Sequence, residues 1–297
     1  MIELVIDAAR KDLGGFEVGR ILPFAKRRMV GPFVFLDHMG PAMFDPGMGI
    51  DVRPHPHIGL STLTYLFEGE ILHRDNLGVT QAIRPGEVNW MTAGRGIVHS
   101  ERTDPAIRIH GGPMHGMQAW IALPTELEEI EPSFDHVEEA ELPTYESGGL
   151  WARLVAGSAY GVTAGVNVQS PLFYVHWEMQ PGTKGSPPEG YSESAAYVAR
   201  GTVEIDGREV HAGQMAVFTP GRRPTVTAVT AATVMLLGGE PVGPRIVWWN
   251  LVSSRTERIE AAKADWKAGR MALPQSDSGE FIPLPDGPPV PKAEPMS

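Results

Sequence analysis

Apolar and polar positions alternate in short runs along most of this chain, and glycine, proline and asparagine cut the runs apart. From Val30 to about Leu123 the pattern reads GPFVFLDHMGP, LSTLTYLFEGEILHRDNLG, TQAIRPGEVNWMTAGRG and HGMQAWIALP. Runs of this period bounded by turn formers predict the strands of a β-sandwich or barrel. Thr125 to Glu146 breaks the pattern: it is rich in Glu, holds no Lys or Arg and contains Pro132 and Pro143, which predicts an exposed acidic connector. Strand-like runs then resume in LWARLVAGSAYG, PLFYVHWEMQPG, SAAYVARGTVEIDGREV, GQMAVFTPG and ATVMLLGG. Ser253 to Arg270 is the helical pattern, opened by serines, with Ile259, Ala262 and Trp266 at helical spacing and Pro274 beyond its end. Trp248 and Trp249 are expected to pin that helix to a barrel, and the proline-rich PLPDGPPVPKAEPMS from Pro283 is expected to fray.

The two halves repeat each other. TYLFEGEI at Thr64 to Ile71 corresponds to AYVARGTV at Ala196 to Val203, and PGEVNWMTAGRG at Pro85 to Gly96 corresponds to AGQMAVFTPGRR at Ala212 to Arg223. Gly86 and Gly94 keep the separation of Gly213 and Gly221, which turn chemistry alone does not require. The expectation is an all-β chain made of a duplicated domain. Its divisions are a first β domain over residues 1–124, the acidic connector over 125–150, and a second β domain with the helix over 151–297.

Composition narrows the chemistry. The 34 glycines and 27 prolines suit a turn-rich β fold, and the absence of cysteine excludes disulfides, thiolate metal sites and cysteine nucleophiles. A net charge of −11 opposes general binding to phosphate backbones or anionic lipid, so neither nucleic acid nor membrane is an expected partner. No window approaches the roughly 18 apolar residues of a spanning helix, and MIELVIDAARKD lacks the layout of a secretory signal, so a cytoplasmic address is expected.

Asp51 to Tyr65 reads DVRPHPHIGLSTLTY, and its two histidines stand two residues apart ahead of a β-branched run. Residues i and i+2 of a strand share a face, so His55 and His57 can point together into a barrel. In GRGIVHSER, His99 and Glu101 have the same spacing. On neighbouring strands the four would converge as three imidazoles and a carboxylate, ligands that divalent iron, manganese, nickel, copper and zinc all accept. The repeat acts as a control: Pro187 and Glu189 stand where His55 and His57 would be, and Val226 and Ala228 where His99 and Glu101 would be. The second copy keeps the scaffold without the ligands, so one metal in the first domain is expected. His38 and His115 are candidates to orient a ligand or receive a proton nearby. His73, His110, His136, His176 and His211 read as structural or surface residues. Met91, Met114, Met117, Trp90 and Trp120 suit either a pocket for a flat ligand or the core, and Arg95 suits a turn.

HPHIGLSTLTYLFEG, followed by PGEVNWMTAGRGIVHSE and HGMQAWIALP, resembles the pirin family of bicupin proteins, with agreement of layout from about Arg20 to Arg270. The resemblance implies two cupin barrels face to face, with one metal, usually iron, on His55, His57, His99 and Glu101. It implies one of two roles. The first is a quercetinase-like dioxygenase that binds a flavonol through its 3-hydroxyl and 4-carbonyl oxygens and opens the ring with O2, with Glu101 as the base. The second is a non-catalytic, metal- or redox-dependent regulator that binds a protein partner. Ser61 is a departure, since members commonly carry Glu there; it puts proton transfer, metal preference and action on flavonols in question.

Overall fold

The alternating runs become antiparallel strands in the computed structural model, which describes residues 1–12 and 16–293. In the first half a large sheet runs in the order Ser133–Val137, Val88–Thr92, Leu60–Glu68, Gly112–Ala122, Phe33–Phe44, Glu17–Leu22 and Ala9–Asp12. A smaller sheet in the order Asp51–His57, Ile97–Arg102, Ile71–Asp75 and Thr80–Ile83 faces it. The second half has a large sheet ordered Ile2–Asp7, Gln214–Phe218, Glu193–Arg200, Ala232–Gly239, Leu172–Met179, Leu150–Ala159 and Thr144–Ser147. Its smaller sheet runs Lys184–Gly185, Val226–Ala228, Thr202–Ile205 and Arg208–His211. The two halves agree position for position, so the repeat in the sequence is a repeat of barrels. Among the described residues no helix is long and apolar enough to cross a membrane.

The barrels exchange chain at their edges, across the linear division expected at 124 and 150. Ile2–Asp7 pairs with Gln214–Phe218 and completes the second barrel. Its counterpart in the first barrel is Ser133–Val137, drawn from the expected connector and paired with Val88–Thr92. The glutamates hid a strand there: Val137 is buried in the main core and Phe134 packs on a neighbouring cluster. The helix forms at Thr256–Lys267 and buries Ile259, Ala262 and Trp266, as their spacing predicts, but it lies against the first barrel, in a cluster with Ile58, Trp248 and Leu251. It starts later than expected because Ser253 and Ser254 bond Glu128 instead of capping it. The tail does not fray over its described part. Trp248 Nε1 donates to the Pro288 carbonyl at 3.0 Å, and Val290 and Ala293 pack on the helix cluster; the last four residues of the expected frayed stretch lie outside the described ones.

The large sheets lie back to back, and equivalent residues cross between them. Tyr65 OH meets His176 Nδ1 at 2.9 Å, and its counterpart Tyr197 OH meets His38 Nδ1 at 2.7 Å. Gly31 permits close approach at this junction: its φ is +54°, and a Cβ there would stand 2.7 Å from the Gly239 nitrogen. His38 also reaches His115 Nε2 at 2.8 Å. Burial, with His115 beside it, lowers the His38 pKa from its ordinary 6.5 to about 4. Below about 6.5 the unfolded chain therefore binds a proton that the folded protein refuses until about 4, so stability falls on acidification across that window. One such group contributes a slope of up to about 1.4 kcal/mol per pH unit. His38→Gln should flatten the dependence of unfolding free energy on pH relative to the parent protein, measured in urea between those limits; equal slopes would show that another group is responsible.

Candidate metal centre

Strand pairing brings the sequence candidates together. Asp51–His57 lies beside Ile97–Arg102 with His55 opposite His99 and His57 opposite Ile97. His55, His57 and His99 are all buried, and their ligand atoms lie within 4.8 Å of one another. Glu101 lines the same cavity but stands apart from this cluster. The register shifts between His99 and Glu101, and Glu101 Oε1 accepts from Thr64 Oγ1 at 3.2 Å.

The hydrogen bonds around the imidazoles decide where their protons sit. His55 Nδ1 is 2.8 Å from the Arg53 carbonyl and His57 Nδ1 is 2.9 Å from the Asn250 carbonyl. A carbonyl only accepts, so each Nδ1 donates and each Nε2 is left with a lone pair. His99 Nδ1 is 3.3 Å from His73 Nδ1, and His73 Nε2 is 3.1 Å from Asp75 Oδ2. Asp75 in turn accepts at Oδ1 from the Leu77 and Val79 amides, at 2.9 and 3.0 Å. With the carboxylate accepting, His73 donates through Nε2 and accepts through Nδ1, so His99 donates through Nδ1 and also turns a lone pair inward. The His99 Nε2 atom is buried without a hydrogen-bond partner, and the His55 and His57 Nε2 atoms are 3.1 Å apart.

Three inward lone pairs with no proton among them repel one another unless a cation lies between. Two nitrogens each about 2 Å from a shared ion can stand about 3 Å apart, so the arrangement fits a divalent metal. Burial holds the His55 pKa down at about 4 and those of His57 and His99 well below the ordinary value, so all three are neutral, as metal ligation requires. Burial pushes the Glu101 pKa up, opposed by the hydrogen bond from the Thr64 hydroxyl.

Above the imidazoles opens a cavity of about 530 Å³. Trp120 presents its edge to His57, with ring centres 5.1 Å apart, and stacks on Phe35 at 3.9 Å, giving the cavity a flat aromatic wall. Trp249 packs with Trp248 on the helix cluster, as expected, and also lines the cavity. Trp90, Met91, Met114 and Met117 are core residues, and Arg95 is an exposed partner of Glu131.

His38, His115 and Ser61, the sequence candidates for supporting roles, lie on the opposite face of the large sheet. Phe35, Asp37, Gln118 and Trp120 face the cavity, so alternation turns His38 and His115 toward the other barrel, where they bond each other. Ser61 shares a face with Leu63 and Tyr65 and bonds Thr92 Oγ1 at 3.1 Å, so its exchange for Glu does not remove a carboxylate from the cavity wall. The supporting histidine is His73, read from sequence as structural. Its signal was present in ILHRD, where His73 and Asp75 repeat the i, i+2 spacing on the adjoining strand. His176 belongs to the interface between the barrels, while His110 and His211 are exposed and His136 bonds Asn89.

Residues 15–121 match the family model described as Pirin, and residues 174–272 match the Pirin C-terminal cupin domain. A pirin-like protein of Caulobacter vibrioides is 66% identical over 289 residues, covering 96% of this chain and 100% of that one. The chain belongs to the pirin family. Among solved pirin-like folds, a crystal structure of quercetin 2,3-dioxygenase from Acinetobacter baumannii superposes with a TM-score of 0.90 at 33% identity, over 98% of this chain and 97% of that one. A bacterial pirin from Escherichia coli, solved in complex with nickel(II), has a TM-score of 0.64 at 19% identity, over 81% of this chain and 100% of that one, which is a likeness of fold.

The His99–His73–Asp75 chain makes a measurable prediction for this pirin. His73→Phe keeps a ring to stack on Phe134, whose centre lies 4.5 Å away, but cannot accept the His99 proton. Metal affinity should fall about 10- to 100-fold, read by competition with a chromophoric chelator, and unchanged affinity would show that the relay does not orient His99.

Proposed function

We propose that this pirin holds one ferrous ion on the Nε2 atoms of His55, His57 and His99, with Glu101 beside it, and uses O2 to open the ring of a flavonol or a similar enediol. The observation that carries this reading is the convergence of three proton-free imidazole nitrogens on the floor of an aromatic-walled cavity. Three neutral imidazoles serve iron, manganese, nickel, copper and zinc alike, so iron is taken from the family resemblance. The bound ion supplies Lewis acidity and coordination positions left open for oxygen atoms.

The residues around it would do the rest. Trp120 and Phe35 offer a stacked wall for a flat ring, and a cavity of about 530 Å³ falls within the ordinary range for small-molecule sites. Arg20 donates to both Asp37 oxygens, at 2.8 and 2.7 Å, so this charged pair on the wall is internally neutralised and favours a neutral substrate. Glu101 Oε1 shares the Thr64 hydroxyl proton with Gln118 Oε1, at 3.2 and 2.8 Å, and would take the proton of the substrate hydroxyl.

The test is to load the protein anaerobically with ferrous iron, add quercetin and air, and follow flavonol absorbance together with oxygen. The two should fall in step, and His99→Ala should show neither loss. A fully loaded protein that consumes neither would overturn the dioxygenase reading and leave the metal a non-catalytic role.

A further inference from the structure

The second barrel lacks the histidines but has kept a cavity. Because His176 and Arg153 face the other barrel, alternation turns Val175 and Trp177 on one strand, and Leu150, Ala152 and Leu154 on the next, into the interior. They line a space of about 440 Å³ that opens between Tyr145, Tyr160 and Val162. These three are large hydrophobic residues left 58%, 50% and 46% exposed, gathered at one mouth. The lining side chains carry no charge.

Trp177 is the polar element. It is 1% exposed, and its Nε1 is buried with no hydrogen-bond partner. The Tyr160 hydroxyl approaches this N–H without reaching hydrogen-bond geometry and gives its own proton to the Ser186 carbonyl at 3.0 Å. Gly185 fixes the other side of the ring, since a Cβ there would stand 2.6 Å from the indole edge. An indole N–H can only donate, and a buried donor without an acceptor is unfavourable, so the cavity lacks one hydrogen-bond acceptor.

We infer that the second barrel is a binding site for a small, uncharged, planar aromatic compound bearing a carbonyl oxygen, which accepts from Trp177 Nε1 while its rings lie between the tyrosines at the mouth and the apolar floor. The class follows from the lining. An uncharged wall does not compensate an ion, three aromatic side chains suit a flat ring, and the volume is that of a small-molecule pocket. The site is independent of the metal and of the reaction proposed for the first barrel.

Flavone is a suitable probe, because it is flat and neutral, has a ring carbonyl and lacks the 3-hydroxyl needed to chelate a metal. Indole N–H resonances of the full-length protein, labelled with 15N and loaded with zinc, would be followed as flavone is added. Trp177→Phe, which keeps the ring and loses the N–H, identifies the resonance. The Trp177 signal should move downfield and saturate, and flavone affinity at this site should fall about tenfold in Trp177→Phe and be lost in Ala152→Leu, which fills the floor. A Trp177 resonance that stays in place while those of Trp120 or Trp249 move would put the ligand in the first barrel and overturn the inference. So would the absence of any shift at millimolar flavone. The wild-type shift decides the matter even where Ala152→Leu fails to fold.

Discussion

Glu101→Gln should keep its metal and lose turnover by about 10²- to 10⁴-fold, the usual contribution of a positioned general base. The substitution leaves the three buried imidazoles intact, and among the described residues these alone form the compact ligand cluster. Gln has the shape of Glu and a carbonyl oxygen that can still accept from Thr64 Oγ1, so the local packing has little reason to change. What is lost is the ability to take up a proton. Burial raises the Glu101 pKa against the opposing hydrogen bond from Thr64, making the carboxylate a stronger base than a solvated one. Metal content measured by atomic spectroscopy, alongside steady-state oxygen uptake with quercetin, separates the outcomes. Full activity would remove Glu101 from the chemistry, and loss of the metal would make it an obligatory ligand instead of a base.

The histidine cluster was legible in the sequence because strand periodicity is two: HPH and HSE each put their members on one face, and the second copy, without these residues, showed that the fold does not need them. What fixes the tautomers was less legible. His57 depends on a carbonyl at Asn250, 193 residues away, and a backbone carbonyl leaves no mark in the sequence. His38 and His115 were misplaced for a different reason. Both faces of the large sheet are buried, one on the cavity and the other on the second barrel, so alternation tells which residues share a face but not which face is the interior. The exchanged edge strands were hidden similarly. Ile2–Asp7 and Ser133–Val137 occupy equivalent edges of the two sheets, but one comes from the start of the chain and the other from a run whose glutamates read as a solvated connector. The helix register survived because Ile259, Ala262 and Trp266 define a buried stripe whichever barrel receives it.

Glu128→Ala should cost about 3–5 kcal/mol of stability, the range for breaking one side of a buried ion pair. Glu128 and Arg245 are 2% and 1% exposed, with Glu128 Oε1 3.1 Å from Arg245 Nε. The same carboxylate accepts from Ser253 Oγ at 2.8 Å and from the Ser254 amide at 2.7 Å, while Arg245 donates to the Leu123 carbonyl at 2.7 Å. Burial already lowers the Arg245 pKa, and Glu128 is the chief opposing influence, so its removal strands a guanidinium in the interior. Replacing both partners, as Glu128→Leu with Arg245→Met, leaves no such charge and should recover much of the loss. The consequence reaches the metal. The clasp holds the segment that carries Asn250, whose carbonyl fixes the His57 tautomer, and Leu251, which bridges to Ile58 beside that histidine. Urea unfolding of the metal-free variants should therefore order them parent, double replacement, Glu128→Ala, and chelator competition should show weakened metal binding in Glu128→Ala. Stability lost with metal affinity intact would mean that the clasp supports the fold alone, and a double replacement no better than Glu128→Ala would place the loss in the serine contacts instead of the stranded charge.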